Sequence, residues 1–329
     1  MTFNFPGFIR ISFYSNIEDI DYNSPQNNFI TINKVDYIFK KLNEKGNKGG
    51  NSIILKLYSN TSIENQQEYA DLDNETPDLI LKILKFNFKK RNGKPSYKKT
   101  HKRFLNEIQA LNRCKFPISQ NVIEIFDNGE CLIDGKSFLF YTMEFAENDL
   151  KDYIEAKHID IDFKTKVRFC KEILEGIKEL DLQRLYHRDI KPDNIFIVNG
   201  KWKIGDLGLV EGRDLDFEID EIAKFIGPRG WISPEVMNKY LTENKNFNLK
   251  FDCKIDRQSD IFQLGKLFWY IFQHNAPIGC VRQSDLDSEF RDVFPILKTM
   301  LNHSKQKRYK EVGEIIPLFK RIERKLLLI

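Results

Sequence analysis

The chain has 329 residues, of which 41% are hydrophobic, and it carries 52 lysines and arginines against 48 aspartates and glutamates. A chain of this length and composition can bury a sizeable core and is long enough for two lobes. The formal net charge of only +4 gives the whole molecule no obvious affinity for polyanions, so we expect no nucleic-acid partner.

The cysteines and the apolar segments bear on the cellular setting. The five cysteines are an odd number, are widely scattered and form no CxxC pair, which favours reduced thiols over a disulfide framework or a zinc site. The N-terminal segment does not show the basic stretch and long apolar run of a signal peptide. The apolar runs are too short to span a membrane, and we expect a cytoplasmic protein. The oligomeric state is left open.

Short strands are predicted in the first half of the chain. Residues 1–34 hold alternating apolar segments and predict an N-terminal extension with one or two strands. Residues 36–58 predict a strand, a glycine-rich turn and a second strand, whereas residues 59–77 are polar and predict a surface loop. Further strands are expected at 79–84, near 122–126 and near 137–145.

A helical periodicity takes over in the second half. The basic run of residues 85–103 precedes a helix with Phe104, Ile108 and Leu111 on one face. We interpret the run as a solvated loop, with an acidic substrate, a nucleic acid or an anionic membrane as alternative partners. Strands followed by helices indicate an α+β fold with two lobes. The later helices are expected at 149–157, 162–184, 257–274 and 309–327.

The most informative motif is HRDIKPDN, residues 187–194. Asp189 can accept a hydroxyl proton, Lys191 can neutralise a phosphate in transfer, and Asn194 can ligate a hard cation. A predicted hairpin after this motif would return Asp206 to the side of Asn194, so that the two residues supply oxygen ligands for Mg²⁺. Phosphoryl transfer requires all of these groups together.

This motif resembles the catalytic loop of eukaryotic-type protein kinases, H-R-D-x-K-P-x-N, at every fixed position. Asp206-Leu207-Gly208 likewise resembles the D-F-G motif, with Leu in place of Phe. The resemblance implies a bilobal protein-kinase-like fold with a small antiparallel β-sheet N-lobe, a helix C and a mainly α-helical C-lobe. It also implies that the protein binds ATP with Mg²⁺ or Mn²⁺. The lobes are expected at 35–146 and 147–329, with a hinge near 143–147.

The resemblance also implies which residues anchor the phosphates. Lys82 matches the lysine of the family's third strand, and Glu107 matches its ion-pair partner on helix C. A charged residue in such an apolar strand needs a partner. Lys56 is the other candidate lysine, but it follows the glycines too closely and is expected to point to solvent. The expected catalytic set is Lys82, Glu107, Asp189 and Lys191.

The glycine-rich loop is the least regular part of the expected nucleotide site. Gly46, Gly49 and Gly50 stand at its place but do not fit G-x-G-x-x-G in register. Backbone amides near a glycine turn can still cradle phosphates. A simple hairpin turn is the alternative interpretation.

The adenine site is implied by the segment Thr142-Met143-Glu144-Phe145-Ala146, which resembles the hinge of the family. Met143 is expected at the gatekeeper position, and the backbone of Glu144 and Ala146 is expected to pair with the adenine edge. The apolar walls are expected to be Phe196 below the base and Ile53 and Ile80 above it.

Three further matches distinguish protein kinases from small-molecule kinases of related fold. Ser233-Pro234-Glu235 resembles the A-P-E segment, and Arg308 stands where the family has the arginine that pairs with its glutamate. Asp260 resembles the helix F aspartate that holds the backbone of the catalytic loop. The resemblance thus covers roughly residues 36–322 and implies a protein substrate.

The chain departs from the family in the segment between Asp206 and Glu235, which contains no Thr or Tyr and whose only serine is Ser233. An arginine at the position of Arg188 usually signals activation by phosphorylation of that segment. We hypothesise that an acid of the segment pairs with Arg188 instead, a solvated acidic loop being the alternative. The candidate acids are Asp214, Asp216, Glu218, Asp220 and Glu221.

Two residues bear on the acceptor hydroxyl. Pro228 replaces the threonine that usually bridges the catalytic aspartate and lysine in Ser/Thr kinases, and this is more typical of tyrosine kinases. Lys191 belongs to the Ser/Thr version of the loop. The sequence therefore predicts a Ser/Thr protein kinase, with dual specificity left open. A pseudokinase acting as a scaffold and a small-molecule kinase are the alternative functions.

Overall fold

The computed structural model describes residues 29–42, 51–59, 66–115, 120–133, 135–157, 160–212, 230–242 and 251–328. The chain divides into two compact units. The first comprises residues 1–108 and 124–145, and the second comprises residues 109–123 and 146–329. Strands dominate the first unit and helices the second, which confirms the α+β fold class.

A curled antiparallel sheet forms the first unit, with its six strands in the order β1-β2-β3-β4-β8-β7. Strand β1 joins β2 through a two-residue turn at Asn33 and Lys34, whose φ angles of 50° and 68° suit such a tight hairpin. The strands of this unit are β1 (Phe29–Ile32), β2 (Val35–Lys41), β3 (Ser52–Ser59), β4 (Leu79–Leu84), β5 (Lys89–Arg91), β6 (Lys94–Ser96), β7 (Ile125–Ile133) and β8 (Lys136–Met143).

One face of this sheet carries the core of the unit. Successive side chains of a strand point to opposite faces, so alternate apolar residues gather on one side. Burial of each such side chain stabilises the fold by about 1.5–3 kcal/mol. The buried cluster consists of Ile30, Ile32, Phe39, Ile53, Leu55, Leu57, Leu81, Ile83, Cys131, Ile133, Phe138 and Phe140.

The predicted surface loop at 59–77 is wrong for its described part. This part contains helix α1 (Gln66–Asp71) and a 3-10 turn (Leu72–Asn74), and it buries Tyr69 and Leu72 against Ile38 and Tyr58. Lys40 Nζ donates hydrogen bonds to the carbonyls of Tyr69 and Ala70 at 3.1 and 3.0 Å, near the end of α1. A cation satisfies the unpaired carbonyls at such a helix end.

The basic run is likewise not a simple loop. Strands β5 and β6 form a hairpin within it, and helix α2 (Lys99–Cys114) begins before the run ends. Buried His101 ties the run together, because its Nδ1 accepts the backbone N–H of Lys98 at 3.0 Å and its Nε2 lies 3.0 Å from the Phe86 carbonyl. Burial lowers the pKa of His101, in keeping with a neutral ring that donates through Nε2.

In the part of the second unit that the structure describes, helices predominate, together with five short strands that form two small sheets. Its helices are α3 (Leu150–Lys157), α4 (Phe163–Leu182), α5 (Pro234–Thr242), α6 (Arg257–Gln273), α7 (Phe294–Met300) and α8 (Ile316–Leu326). Its strands are β9 (Asn148–Asp149), β10 (Leu185–Tyr186), β11 (Ile195–Val198), β12 (Lys201–Ile204) and β13 (Glu211–Gly212).

Helix α6 is the buried centre of this unit, since every residue from Ser259 to Phe272 is buried. The helix expected at 309–327 is shorter than predicted, because a 3-10 turn (Val312–Glu314) precedes α8 and Pro317 stands in the first turn of α8. Among the described residues, no helix combines the length and the apolar character that crossing a membrane requires.

Candidate active site

The first element of the site is an ion pair between a strand and a helix. Lys82 lies on β4 and Glu107 on α2, and Lys82 Nζ is 2.8 Å from Glu107 Oε1. The apolar face of α2, with Phe104, Ile108 and Leu111, is buried, which turns Glu107 inward. The side chain of Glu107 is only 3% exposed, so the attraction is little screened by water.

Tyr141 completes this pair, and the motifs did not point to it. Its hydroxyl donates a hydrogen bond to Glu107 Oε1 at 2.9 Å, and Lys82 Nζ lies 5.4 Å from the centre of its ring. Tyr141 lies directly opposite Lys82 in the pairing of β4 with β8. Only the strand register brings the two residues together, so no local sequence signal could have found Tyr141.

The register corrects one predicted wall of the nucleotide site. Ile54 lies opposite Lys82 and Ile53 lies opposite Ile83 in the pairing of β3 with β4. Residues opposite each other share a face of the sheet, so Ile54 lies on the face of Ile80 and Lys82. Ile53 lies on the other face, inside the sheet core. Ile53 therefore does not share a surface with Ile80, whereas Ile54 does.

Met143 lies opposite Ile80, so both residues belong to the Lys82 face of the sheet. Glu144 follows it, and its N–H donates to the carbonyl of Glu124 at 3.1 Å. Glu144 can therefore offer its carbonyl, but not its N–H, to an adenine edge. Ala146 is half-buried at the start of the second unit. Gly46, Gly49 and Gly50 lie outside the described residues.

Phe196 lies on β11 of the second unit and is half-buried. Its ring lies so close to Gly205 that a Cβ on that glycine would be 2.7 Å from the ring carbons. A side chain at position 205 would therefore require the Phe196 ring to move.

The catalytic loop holds its aspartate through one carboxylate oxygen. Asn194 Nδ2 donates to Asp189 Oδ2 at 3.0 Å and to the Asp189 carbonyl at 2.8 Å, and Lys191 Nζ lies 3.1 Å from Oδ2. The other oxygen, Asp189 Oδ1, is buried and has no hydrogen-bond partner among the described residues. Burial raises the pKa of Asp189, and the charge of Lys191 opposes this shift.

The backbone of this loop is fixed from helix α6. Asp260 accepts the N–H groups of His187 and Arg188 at 2.8 and 2.9 Å. Gln263, one turn further along α6, accepts the N–H of Ile190 and donates to the Arg188 carbonyl, both at 3.2 Å. These contacts hold Arg188 at a φ of 68°, which a non-glycine residue rarely adopts. Sequence reasoning missed Gln263, although its spacing of three after Asp260 was a usable signal.

The hairpin of β11 and β12 returns the chain to Asn194. Ile195 pairs with Ile204, and the N–H of Gly205 donates to the Asn194 carbonyl at 3.0 Å. Asp206 follows, exposed, at a φ of 51°. The oxygens of Asn194 and Asp206 would suit a hard cation such as Mg²⁺. No group of three or more His, Cys, Asp and Glu residues in the described ranges is arranged to hold a metal.

The sequence model of the protein kinase domain matches residues 82–327. This match covers most of the chain. The chain belongs to the protein kinase family. The match starts at Lys82, so it includes the residues expected above to be catalytic or metal-binding but not the glycine-rich segment before them.

Individual protein kinases are similar at modest identity. The serine/threonine-protein kinase cds1 of Schizosaccharomyces pombe is 32% identical over 194 residues, which are 57% of this chain and 38% of that protein. The serine/threonine-protein kinase MPS1 of Encephalitozoon cuniculi is 27% identical over 175 residues, or 53% of this chain and 27% of that protein. The mitosis inhibitor protein kinase SWE1 of Candida albicans is 32% identical over 153 residues, or 43% of this chain and 12% of that protein. The matched stretches span less than half the length of each relative.

Two further ion pairs involve Arg308 and Arg188. Arg308 Nη2 donates to Glu235 Oε1 at 2.6 Å, which is the pair that the A-P-E resemblance implies. Arg188 Nη1 lies 2.8 Å from Oε2 of Glu211, an acid that the sequence analysis did not name. The five acids named as partners of Arg188 lie outside the described residues, as does Pro228.

Proposed function

We propose that this kinase transfers the γ-phosphate of ATP to serine and threonine hydroxyls of proteins. The supporting observation is the asymmetric environment of Asp189. Its Oδ2 is occupied by Asn194 and Lys191, whereas its Oδ1 is buried and has no partner among the described residues. An acceptor hydroxyl is the group that such an oxygen would orient and deprotonate late in a loose transition state.

The other residues have roles in handling phosphate charge. Lys82, held by Glu107 and Tyr141, would anchor the phosphates, and Lys191 would neutralise the group in transfer. Asn194 and Asp206 would hold Mg²⁺, or Mn²⁺. When bound, the ion would neutralise the negative charge that develops on the phosphate oxygens.

Serine and threonine are the proposed acceptors because Lys191 belongs to the Ser/Thr form of the loop. Two of the similar proteins reported above also carry serine/threonine-protein kinase in their names. Protein substrates in the cytoplasm are proposed as well, since all five cysteines are free thiols.

We also propose that activity does not require phosphorylation of the segment after Asp206. Arg188 is almost completely buried and already has the carboxylate of Glu211 at 2.8 Å. A phosphate would supply the same negative charge to this arginine. Glu211 on β13 pairs with Tyr186 on β10, next to the catalytic loop, so the carboxylate ties the start of the segment to the loop.

The test is transfer of radiolabelled phosphate from ATP-Mg²⁺, followed by mass spectrometry of the labelled proteins. Wild type should label serine and threonine, and Asp189→Asn should lower the rate by about 10²–10⁴-fold because it removes the base. Asp193→Asn is the matched control in the same loop, where the carboxylate lies 3.9 Å from Lys151 Nζ, and it should retain activity. Transfer to a sugar or antibiotic but to no protein would favour a small-molecule kinase, and no transfer at all would favour a scaffold.

A further inference from the structure

A small cavity of about 150 Å³ lies beside helices α5 and α6 of the second unit, away from the catalytic loop. A cavity of this size holds a group about as large as benzene. Its polar lining consists of Ser233, Lys266 and His303. Its apolar lining consists of Ile232, Pro234, Met237, Phe262, Pro277, Ile278 and Leu301.

Lys266 is an unusual residue at this position. It lies on the buried helix α6 and is only 9% exposed. Its Nζ donates to the Gly230 carbonyl at 2.6 Å and lies 5.9 Å from the centre of the Phe262 ring. No carboxylate among the described residues lies within ion-pair distance of it. Burial lowers the pKa of Lys266, with no carboxylate to oppose the shift.

A buried ammonium with a single carbonyl partner is costly. The group has three N–H donors, and removing its charge from water costs free energy unless a counter-charge restores it. A lysine stem is long enough to reach water from many helix positions, yet this one turns its head into the protein. A ligand that brings a negative charge would offset the cost.

Ser233 adds a second polar group to the same cavity. The residue is 1% exposed, and its hydroxyl has no hydrogen-bond partner among the described residues. A buried hydroxyl left without a partner costs about 1–3 kcal/mol. Lys266 and Ser233 are both at least nine-tenths buried, and both line this small, mostly apolar cavity. Lys266 is a cation, and Ser233 is a hydroxyl donor.

We propose that this cavity binds the carboxylate of an aspartate or glutamate in the protein substrate. One carboxylate oxygen accepts from the Lys266 ammonium, the other accepts from the Ser233 hydroxyl, and the apolar lining contacts the methylene groups. A phosphate is the less suitable anion, because it brings a charge of about −1.5 to −2 and three acceptor oxygens to one ammonium and one hydroxyl.

The polar groups of the cavity are tied to one short segment of the second unit. Lys266 on α6 donates to the carbonyl of Gly230, and Ser233 stands three residues after Gly230, so the ammonium binds the same segment before α5 that carries the hydroxyl. The proposal rests on the proposed function, since it assigns a specificity to the same reaction.

The test uses Ser-centred peptide libraries in which one flanking position at a time is fixed as Asp, Glu, Asn, Gln or phosphoserine. At one flanking position, wild type should prefer the acid over its amide by about 10-fold or more in kcat/KM, because a hydrogen bond to a charged group contributes about 1.5–3 kcal/mol. Lys266→Met should bring this ratio close to one. Lys298→Met, on α7 and outside the cavity lining, is the matched control.

Folding failure can be separated from loss of specificity. Replacing an uncompensated buried charge by an apolar residue is expected to leave the melting temperature equal or higher. Ser233→Ala provides a second variant, which should reduce the acid-to-amide ratio several-fold. A wild-type ratio of one at every position, an unchanged ratio in Lys266→Met, or a preference for phosphoserine over both acids would overturn the proposal.

Binding is measured separately from catalysis, with the preferred acidic peptide and its amide on the Asp189→Asn protein by fluorescence anisotropy. Tighter binding of the acidic peptide, lost on adding Lys266→Met, supports the cavity even if no phosphate is transferred. Equal binding of both peptides contradicts it even if wild type is an active kinase.

Discussion

The side chains of Arg308 and Glu235 form an ion pair that water does not reach, with exposures of 0% and 2%. Arg308 also donates to the carbonyls of Gln258 and His303, at 3.0 and 2.9 Å. A single guanidinium therefore connects the first turns of α5 and α6 with the segment after α7. This pair is buried, and the donors of Arg308 also bind two backbone carbonyls. Loss of either residue should therefore have a larger effect than loss of a charge on the surface.

Removal of one partner should destabilise the protein strongly. Arg308→Ala leaves the Glu235 carboxylate buried without a counter-charge, and we expect the free energy of unfolding to fall by about 3–5 kcal/mol. Urea denaturation measures this change. Lys325→Ala, which breaks the exposed pair with Asp292, should cost at most about 1 kcal/mol. Equal effects of the two substitutions would show that the burial of the Arg308 pair has no energetic importance.

The contact from Tyr141 to Glu107 should support activity rather than stability. Tyr141→Phe keeps the ring and removes one hydrogen bond to the carboxylate that positions Lys82. We expect kcat/KM to fall by roughly 3- to 10-fold, since a net hydrogen bond is worth about 0.5–1.5 kcal/mol. Tyr153→Phe, a tyrosine packed against Trp202 in the second unit, is the control and should leave kcat/KM unchanged.

Sequence patterns predicted the long helices well. Helices α4 and α6 were expected within two residues of their observed ends, because both have a sustained helical period. Helix α1 was missed, because Tyr69 and Leu72 alone are too few apolar residues to form a periodic signal, and the helix depends on packing against Ile38 and Tyr58.

Tyr141 and Glu211, two of the missed site residues, were missed for the same physical reason. Tyr141 reaches Glu107 through strand register, and Glu211 reaches Arg188 through the pairing of β10 with β13. Such contacts are set by tertiary structure and leave no local pattern. The prediction for β3 was wrong by one residue, because Ile53 was expected on the face where Ile54 lies. One step along a strand moves a side chain to the opposite face of the sheet.

Asp260 should make stability fall as pH rises. Burial raises its pKa to about 7, although two N–H donors from the loop oppose this. The unfolded value is about 3.9, so between these values the native state binds a proton that the unfolded state has lost. The contribution of Asp260 to the free energy of unfolding is therefore largest below about pH 4 and is lost as pH rises towards 7.

Comparison with Asp260→Asn isolates this effect, since the variant cannot titrate at this position and all other groups are shared. The free energy of unfolding of wild type, relative to the variant, should fall by a few kcal/mol between about pH 5 and about pH 7.5. Parallel pH profiles of the two proteins in urea denaturation would contradict the assignment.

Glu211 should substitute for a phosphate opposite Arg188. The Glu211 side chain is 49% exposed, so solvent weakens the pair, and Glu211→Gln should lower kcat/KM by about twofold to fivefold. Glu155→Gln, an exposed acid of α3, should have no effect. Phosphatase treatment of wild type should leave activity unchanged, with the absence of phosphate checked by mass spectrometry. Loss of activity after that treatment would mean that Glu211 does not replace a phosphate.

Two neighbouring isoleucines of β3 test the sheet register directly. Ile53 is 3% exposed within the sheet core, and Ile53→Ala should reduce the free energy of unfolding by about 2–5 kcal/mol because it leaves a cavity. Ile54 is half-buried on the face of Lys82 and Ile80, so Ile54→Ala should cost less stability but raise the KM for ATP. Each variant is the control for the other, since the chemical change is the same and only the face differs. A larger rise of KM in Ile53→Ala than in Ile54→Ala, measured in proteins that remain folded, would place the nucleotide on the opposite face of the sheet.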